Sequence, residues 1–223
     1  MNVELFDRYE VYVLPGWQNS GPGHWQSRWE ALHGFKRVQQ HDWMRPLRGD
    51  WLIQLEEAVL AATRPVVLVA HSLGCIQTAA WASISQQTHR VRAALLVAPG
   101  DVEQPDVRPL LPTWQPIAMQ PLPFVSTLVG SHNDPFCRFE RAQALAQAWG
   151  SALHDMGDAG HINAESGLGD WPQGLAWLHD LLARAEAATP TPCTTPAGAG
   201  LSVTLDTASA RLTKGASEPP VST

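Results

Sequence analysis

The sequence predicts an α/β fold in which a doubly wound, mostly parallel sheet carries helices on both faces. Short apolar runs rich in Val and Leu are typical of buried parallel strands, and segments with helical spacing of apolar residues fall between them. This repeated alternation of strand and helix favours a parallel sheet joined by crossover helices. Hydrophobic residues make up 44% of the 223 residues, which indicates a globular protein.

The predicted elements alternate along the chain. The strands are residues 11–14, 66–70, 93–98 and 124–129, with a weaker run at 152–156. The helices are residues 24–32, 51–62, 73–84, 138–149 and 171–185. In the first helix Trp25 and Trp29 lie one turn apart, and the third helix follows its strand directly. Ligand sites in such sheets lie at the carboxyl ends of the strands, so chemistry is expected there.

The chain divides by composition into residues 1–185 and 186–223. The second part consists mainly of Thr, Pro, Ala, Ser and Gly with few apolar residues. Such a segment buries too little apolar surface to offset the entropy of ordering. We therefore predict one folded domain over 1–185 and a disordered tail over 186–223, with only a weak strand pattern at 201–205.

Charge and cysteine content exclude several classes of protein. Fifteen Lys and Arg residues against 21 Asp and Glu give a net charge of −6, which argues against binding to nucleic acid or to a membrane surface. No window of about 18 apolar residues predicts a membrane span, and the first residues do not resemble a secretory signal. Three separated cysteines, Cys75, Cys137 and Cys193, form no C-x-x-C pair. They indicate a reducing, cytoplasmic location without a disulfide framework, and Cys75 is expected to be buried.

The sequence predicts no cofactor. The glycines form neither a G-x-G-x-x-G fingerprint nor a phosphate-binding loop. Four histidines do not have metal-ligand spacing: His24, His33, His41 and His89.

A nucleophile elbow is predicted at residues 70–74, where A-H-S-L-G joins an apolar strand to a helix. The pattern matches G-x-S-x-G with Ala70 in place of the first glycine. Small residues are needed there because Ser72 occupies a strained turn and strand and helix approach closely. The Leu73 N–H, at the start of the helix, would form one half of an oxyanion hole. An ordinary serine N-cap is the alternative.

A serine needs a base, and the elbow predicts the order Ser, Asp or Glu, His along the chain. His161 follows the weak strand in a glycine-containing loop and is the predicted base. Three other histidines lie downstream: His132, which precedes the predicted acid; His154, in strand-like sequence; and His179, inside a helical pattern.

Asp134 is the predicted acid, because it leaves the strand at 124–129 in a loop that Pro135 then fixes. Its role would be to hold the imidazole tautomer and to stabilise the imidazolium. Asp158 and Asp155, closer to His161 in sequence, are the alternatives.

The loop after the first strand is expected to complete the oxyanion hole. Gly16 exposes the Trp17 N–H, which is the second predicted donor. Gly16, Trp17 and His71 are the candidate substrate-binding residues. Trp17, Trp43 and Trp171 lie near loops and are candidates for lining an acyl pocket, whereas three other tryptophans are expected in the core: Trp25, Trp29 and Trp149.

These segments occur in the order of a known family. The first loop (residues 12–17 and 24–25), the elbow (70–74), N-D-P at 133–135 and G-H-I-N at 160–163 resemble the small serine hydrolases grouped with retinoblastoma-binding protein nine and bacterial YdeN, within the α/β-hydrolase superfamily. The resemblance covers about residues 9–183. It implies a compact α/β-hydrolase without a large lid domain, a Ser72, Asp134 and His161 triad, and no cofactor. The L-x-C-x-E segment for retinoblastoma binding is absent, because L-G-C-I-Q at 73–77 lacks the glutamate.

The sequence therefore predicts a serine hydrolase that cleaves small carboxylic esters or amides through an acyl-enzyme. The alternative is a catalytically weak protein-binding module on the same fold, and acyl transfer is a third interpretation. The proline-rich stretch 105–123 could cover the site as a small flap. The sequence predicts neither the natural substrate nor the oligomeric state.

Overall fold

Six parallel strands form the central sheet of the computed structural model, which describes residues 3–188. In chain order the strands are β1 Glu10–Leu14, β2 Lys36–Arg37, β3 Val66–His71, β4 Val91–Val97, β5 Val125–Gly130 and β6 Ala152–Asp155. Their order across the sheet is β2-β1-β3-β4-β5-β6. The tail predicted over 186–223 begins inside a helix that ends at Ala187, so the predicted boundary at 185 falls too early. The rest of this tail beyond 188, the weak strand pattern at 201–205 and Cys193 lie outside the described residues.

Five α-helices cover the two faces of this sheet. They are α1 Trp25–His33, α2 Arg48–Ala61, α3 Leu73–Ala82, α4 Phe139–Trp149 and α5 Pro172–Ala187. Helices α2, α3 and α4 bury their apolar side chains in one core cluster, and α1 and α5 bury theirs in a second cluster. Over residues 3–188 the architecture is thus the predicted doubly wound α/β fold without a large lid domain.

Alternation of side chains along the strands separates the two cores. In β3, Leu68 and Ala70 belong to the cluster with α2 to α4, whereas Val67 and Val69 belong to the cluster with α1 and α5. All residues of β3 are buried, since both faces are covered. This double burial explains why the strand is a continuous apolar run rather than an alternating pattern.

The register brings three strand ends to one edge. Leu14 of β1 pairs with Ala70 of β3, and Ala70 pairs with Leu96 of β4. The loops that follow these three strands therefore leave the sheet side by side.

The structure differs from the sequence prediction at β2 and at the start of α2. The short edge strand β2 was not predicted, because two polar residues, Lys36 and Arg37, carry no apolar pattern. Helix α2 begins at Arg48 rather than Trp51, since its first turn is polar and exposed and gives no hydrophobic period. Within residues 3–188, no helix combines the length and apolar character needed to cross a bilayer.

Glu10, at the start of β1, is a buried carboxylate that contacts Lys36 of β2 and Thr63 in the segment before β3. Its Oε1 accepts hydrogen bonds from the Thr63 backbone N–H (2.6 Å) and hydroxyl (3.0 Å), and its Oε2 lies 2.5 Å from Lys36 Nζ. Burial by itself raises the pKa of the carboxyl. The hydrogen bonds from Lys36 and Thr63 outweigh burial and lower the pKa from 4.5 to about 2.

Replacing Glu10 by Gln is expected to reduce the free energy of unfolding by about 2 to 3 kcal/mol at pH 7. Because the folded pKa is depressed, this contribution is complete above the unfolded pKa of 4.5 and is lost as pH falls towards 2. Urea denaturation of wild type and Glu10→Gln between pH 7 and pH 3 measures the difference, with exposed Glu57→Gln as the control. A difference that stays constant over this pH range would contradict the assignment.

Candidate active site

Ser72 occupies the turn between β3 and α3 with a strained backbone. Its φ of 53° and ψ of −119° lie in a region that residues with a side chain rarely adopt. The turn is held by the Ser72 N–H, which donates to Val97 O of β4 (3.0 Å), and by the Cys75 N–H, which donates to Ser72 O (3.0 Å). The strand, turn and helix expected of a nucleophile elbow are therefore present at Ser72.

Two glycines allow the close approaches that the elbow requires. A Cβ on Gly16 would lie 2.6 Å from Ser72 Cβ, and a Cβ on Gly74 would overlap Leu14 O. Leu14 of β1 thus leaves no room for a side chain at position 74, and Ser72 leaves none at position 16 in the loop after β1. Ala70, which replaces the usual glycine, is fully buried within β3.

The structure brings Ser72, His161 and Asp134 together from three loops. His161 Nε2 lies 2.9 Å from Ser72 Oγ, and His161 Nδ1 lies 2.9 Å from both carboxylate oxygens of Asp134. The Phe136 N–H donates to Asp134 Oδ1 (2.8 Å), and the Phe136 ring packs against the imidazole with centroids 4.6 Å apart. A carboxylate at Nδ1 favours the tautomer with its proton there, which leaves Nε2 free to accept the hydroxyl proton.

The alternative acids and bases lie elsewhere. Asp155 and His132 bind each other at the exposed surface, with 2.8 Å between Asp155 Oδ2 and His132 Nε2. Asp158 is exposed, and among the described residues the side-chain hydrogen bonds of His161 go to Asp134 and Ser72 instead. His154 stacks on Trp177, and His179 packs against Phe6.

The two predicted oxyanion donors both border the same cleft as Ser72. The cleft has a volume of about 470 Å³, and both Trp17 and Leu73 contribute to its lining. Within residues 3–188, no protein acceptor is found for the backbone N–H of either residue. Leu73 N begins helix α3, where the helix dipole adds to the attraction for a negative oxygen.

A buried glutamine supports the loop that carries Trp17. Gln26 Nε2 donates to Leu14 O (3.2 Å) and to Val69 O (2.9 Å), and its Oε1 accepts from the Ser20 hydroxyl (2.8 Å). The side chain therefore joins β1, β3 and the first loop. The polar pattern of α1 gave no reason to single out this residue from the sequence.

Arg37 of the edge strand holds the same loop from the outside. Its guanidinium donates to Asn19 Oδ1 (2.6 Å) and to Ser20 O (3.0 Å) and pairs with Glu30 of α1. The unpredicted strand β2 thus contributes directly to the position of the loop that carries Trp17, the predicted oxyanion donor.

His71 lines the cleft, as expected of a substrate-binding candidate, but one ring nitrogen is already engaged. Its Nε2 lies 2.8 Å from the backbone oxygen of His161, which requires Nε2 to be the protonated donor. Burial, followed by the nearby His161 and His24 rings, lowers the pKa of His71 well below its usual value. A neutral His71 therefore connects the elbow to the loop of the predicted base.

One wall of the cleft is apolar. It is formed by residues of the proline-rich stretch together with two neighbours: Val102, Val107, Leu110, Leu111 and Phe136. The stretch is anchored in the core, because Trp114 is fully buried and its Nε1 donates to Pro46 O (3.0 Å). Residues of the predicted flap thus border the site in this structure.

The tryptophans divide differently from the prediction. Trp17 lines the cleft, and its Nε1 donates to Met44 O (3.0 Å). Trp43 packs against Trp51, and Trp171 is buried against Trp29, so neither borders the cleft. Proximity to a loop in sequence was a poor guide, because both rings fold back onto the core.

Gly100, after β4, was not singled out from the sequence although it borders Ser72, the predicted nucleophile. A Cβ at this position would lie 3.3 Å from Ser72 Oγ and 3.7 Å from Leu73 N. A tetrahedral intermediate must form between a nucleophile and its oxyanion donors. The missing side chain therefore leaves open the space that the intermediate would need. The strand-end rule points to this loop, but glycine has no side-chain chemistry to mark it.

Substituting Gly100 by Ala is expected to lower kcat/KM about 100-fold, because the methyl group obstructs the intermediate. The added contacts of 3.3 to 3.7 Å are tolerable for folding. Ester hydrolysis and thermal unfolding of Gly100→Ala measure the two effects. Gly49→Ala is the matched control, since a Cβ there meets nothing within 4 Å. A folded Gly100→Ala variant with wild-type turnover would exclude this role.

Metal binding has no candidate among residues 3–188, where no group of three or more His, Cys, Asp or Glu side chains is suitably placed. Burial raises the pKa of the Cys137 thiol to about 12 and raises that of the Cys75 thiol well above its usual value. Both cysteines are buried and free, and they are therefore poor ligands and poor nucleophiles.

A parallel sheet with a nucleophile elbow after a central strand places the chain among the α/β-hydrolases. The family model described as "Serine hydrolase" matches residues 11–180. The chain belongs to this serine hydrolase family.

Solved structures agree with this assignment. A YdeN-like hydrolase of Pectobacterium atrosepticum is 30% identical, with a TM-score of 0.73, over 83% of this chain and 99% of its own. The ydeN gene product of B. subtilis is 20% identical, with a TM-score of 0.62, over 79% of this chain and 99% of its own. An esterase of Thermogutta terrifontis is 15% identical, with a TM-score of 0.57, over 82% and 85%. The last two likenesses concern the fold alone. The comparison with curated proteins finds no match.

Proposed function

We propose that the protein hydrolyses small carboxylic esters, and amides of the same acids, with Ser72 as nucleophile, His161 as base and Asp134 as its orienting acid. The observation that carries the proposal is the continuous contact from Ser72 Oγ through the imidazole to the carboxylate, with 2.9 Å at each step. Two free N–H groups on the same cleft, those of Trp17 and Leu73, would stabilise the negative charge of the oxyanion.

The reaction follows from these positions. His161 Nε2 takes the Ser72 proton while Oγ attacks the carbonyl carbon, and the N–H groups of Trp17 and Leu73 bind the oxyanion. The imidazolium then gives its proton to the leaving alkoxide, so that an alcohol departs and an acyl-enzyme remains. Water, deprotonated by His161, attacks the acyl carbon and releases the acid and Ser72.

The cleft supports a substrate of modest size. A volume of about 470 Å³ holds a small ester, and the apolar wall with Val107, Leu110 and Phe136 suits a hydrocarbon group. The name of the Thermogutta terrifontis neighbour, an esterase, is consistent with this substrate class. The resemblance to the group of retinoblastoma-binding protein nine and the cytoplasmic location are inferred from the sequence alone.

Labelling with a fluorophosphonate probe tests the proposal. The probe reacts with serines activated by a neighbouring base, so wild type should be labelled and Ser72→Ala and His161→Ala should not. Ser83→Ala, whose hydroxyl lies at the other end of α3 and donates to Ala80 O, is the control and should be labelled normally. A folded wild type that the probe does not label would favour a binding module on this fold.

A further inference from the structure

One buried ring nitrogen of a residue that lines the cleft has no partner. Among residues 3–188, five side chains contain a buried nitrogen or oxygen without a hydrogen bond: His24, His33, Gln40, Arg141 and Trp171. Only His24 lines the cleft that contains Ser72. Its orphaned atom is Nε2, which has almost no solvent-accessible surface, and the residue is 5% exposed. A substrate oxygen must therefore displace the groups that cover Nε2 to reach it.

The other nitrogen of His24 determines where its proton lies. His24 is the N-cap of α1, and its Nδ1 accepts a hydrogen bond from the Gln26 N–H (3.1 Å). Burial, followed by electrostatic repulsion from His161 and Arg37, lowers the pKa of His24 to about 3. A neutral ring that accepts at Nδ1 carries its proton at Nε2. The orphaned atom is therefore a hydrogen-bond donor.

His24 stands beside the predicted catalytic groups. Its ring lies 4.7 Å from that of His71, which in turn lies 4.8 Å from that of His161 (centroid distances). Asn163 and Glu165 line the cleft as well, so its lining includes polar groups besides the apolar residues Leu110 and Phe136. A buried donor without an acceptor costs free energy, and such a group in a native structure calls for a partner.

We propose that the His24 Nε2–H group selects substrates by donating a hydrogen bond to an oxygen atom other than that of the scissile carbonyl. This inference rests on the proposed hydrolase function and specifies its substrates further. They are esters that carry an ether, hydroxyl or keto oxygen close to the ester group. A plain hydrocarbon ester leaves the donor unpaired and loses that interaction in the transition state.

Matched ester pairs test the inference. The acyl arm compares methoxyacetate with butyrate esters of 4-nitrophenol, and the alcohol arm compares 2-methoxyethyl with butyl esters of acetic acid. Within each pair one oxygen replaces one methylene. The measured quantity is the ratio of kcat/KM within a pair, for wild type and for each variant. Comparing these ratios between proteins removes the intrinsic difference in reactivity of the two esters.

Two variants remove the donor in complementary ways. His24→Phe keeps a ring against His71 but loses the cap, and His24→Ser keeps a good N-cap but loses the ring. His33→Phe removes the other orphaned imidazole nitrogen, which lies outside the cleft, and is the matched control. We expect both His24 variants to lower the preference for the oxygen-containing ester about fivefold to tenfold in one arm, and His33→Phe to leave it unchanged.

The outcomes separate this inference from the proposed function. If wild type hydrolyses the esters and is labelled by fluorophosphonate, but neither arm changes in either His24 variant, the inference is wrong and the function stands. If folded wild type is neither labelled nor active on any ester, both are wrong. A loss of preference in one arm also identifies whether the oxygen lies in the acyl or the alcohol part of the substrate.

Discussion

Ser72→Ala is expected to lower kcat for a small ester by about 10⁴ to 10⁶-fold, the largest effect of any single substitution in this protein. Without Oγ no acyl-enzyme forms, and His161 has no proton to accept. The N–H groups of Trp17 and Leu73 remain in place, so a small residual acceleration over the uncatalysed reaction is expected. Hydrolysis of 4-nitrophenyl acetate measures this loss, and a high protein concentration makes the low residual activity of the variant detectable.

Folding controls make this result interpretable. Ser72 has φ of 53°, which is unfavourable for alanine and serine alike, so the substitution should change the free energy of unfolding little. Ser83→Ala, at the opposite end of α3, should retain wild-type turnover. Turnover of Ser72→Ala close to that of wild type would exclude Ser72 as the nucleophile.

Asp134→Asn is expected to lower kcat by about 10⁴-fold, because it changes the tautomer of His161 rather than the geometry of the site. Asp134 Oδ1 accepts the Phe136 N–H, so the amide oxygen of asparagine keeps this position and its NH₂ group replaces Oδ2. That group donates to His161 Nδ1, which places the imidazole proton on Nε2. The base then faces Ser72 Oγ with a proton instead of a lone pair.

Asp158→Asn is the matched control, since Asp158 precedes His161 by three residues and is exposed. It should leave kcat within about twofold, as expected of an exposed substitution away from the site. Equal losses from the two substitutions, or a loss in Asp158→Asn alone, would transfer the role of the acid away from Asp134. Crystals of Asp134→Asn should show His161 in its original position.

The fold was predictable because its signals are local. An all-buried strand such as β3 must be a continuous apolar run, and Ala70 and Gly74 must be small where strand and helix meet. The prediction of no large lid domain and of helices on both faces is confirmed by the structure and its solved neighbours. The edge strand β2 was missed, because a strand of two residues is defined by its partner and not by its own composition.

The candidate site was predictable only in part. Ser72, Asp134 and His161 each stand where a strand ends, and their types and order along the chain suffice to propose their roles. That these roles are performed is for the labelling and turnover experiments to decide. Gly100 was not predicted because it has no side chain. Gln26 was not predicted because it binds backbone oxygens of two strands, β1 and β3.

The sequence by itself determined the fold class, the strand-end positions of the candidate triad and the family to which the chain belongs. The tertiary structure alone decided which tryptophan borders the cleft, that His71 binds the backbone of His161, and that His24 retains an unpaired donor beside them. The reason is physical. Periodicity and turn chemistry act between near neighbours in the chain, whereas the partner of a side chain is set by segments that fold against it from far along the sequence.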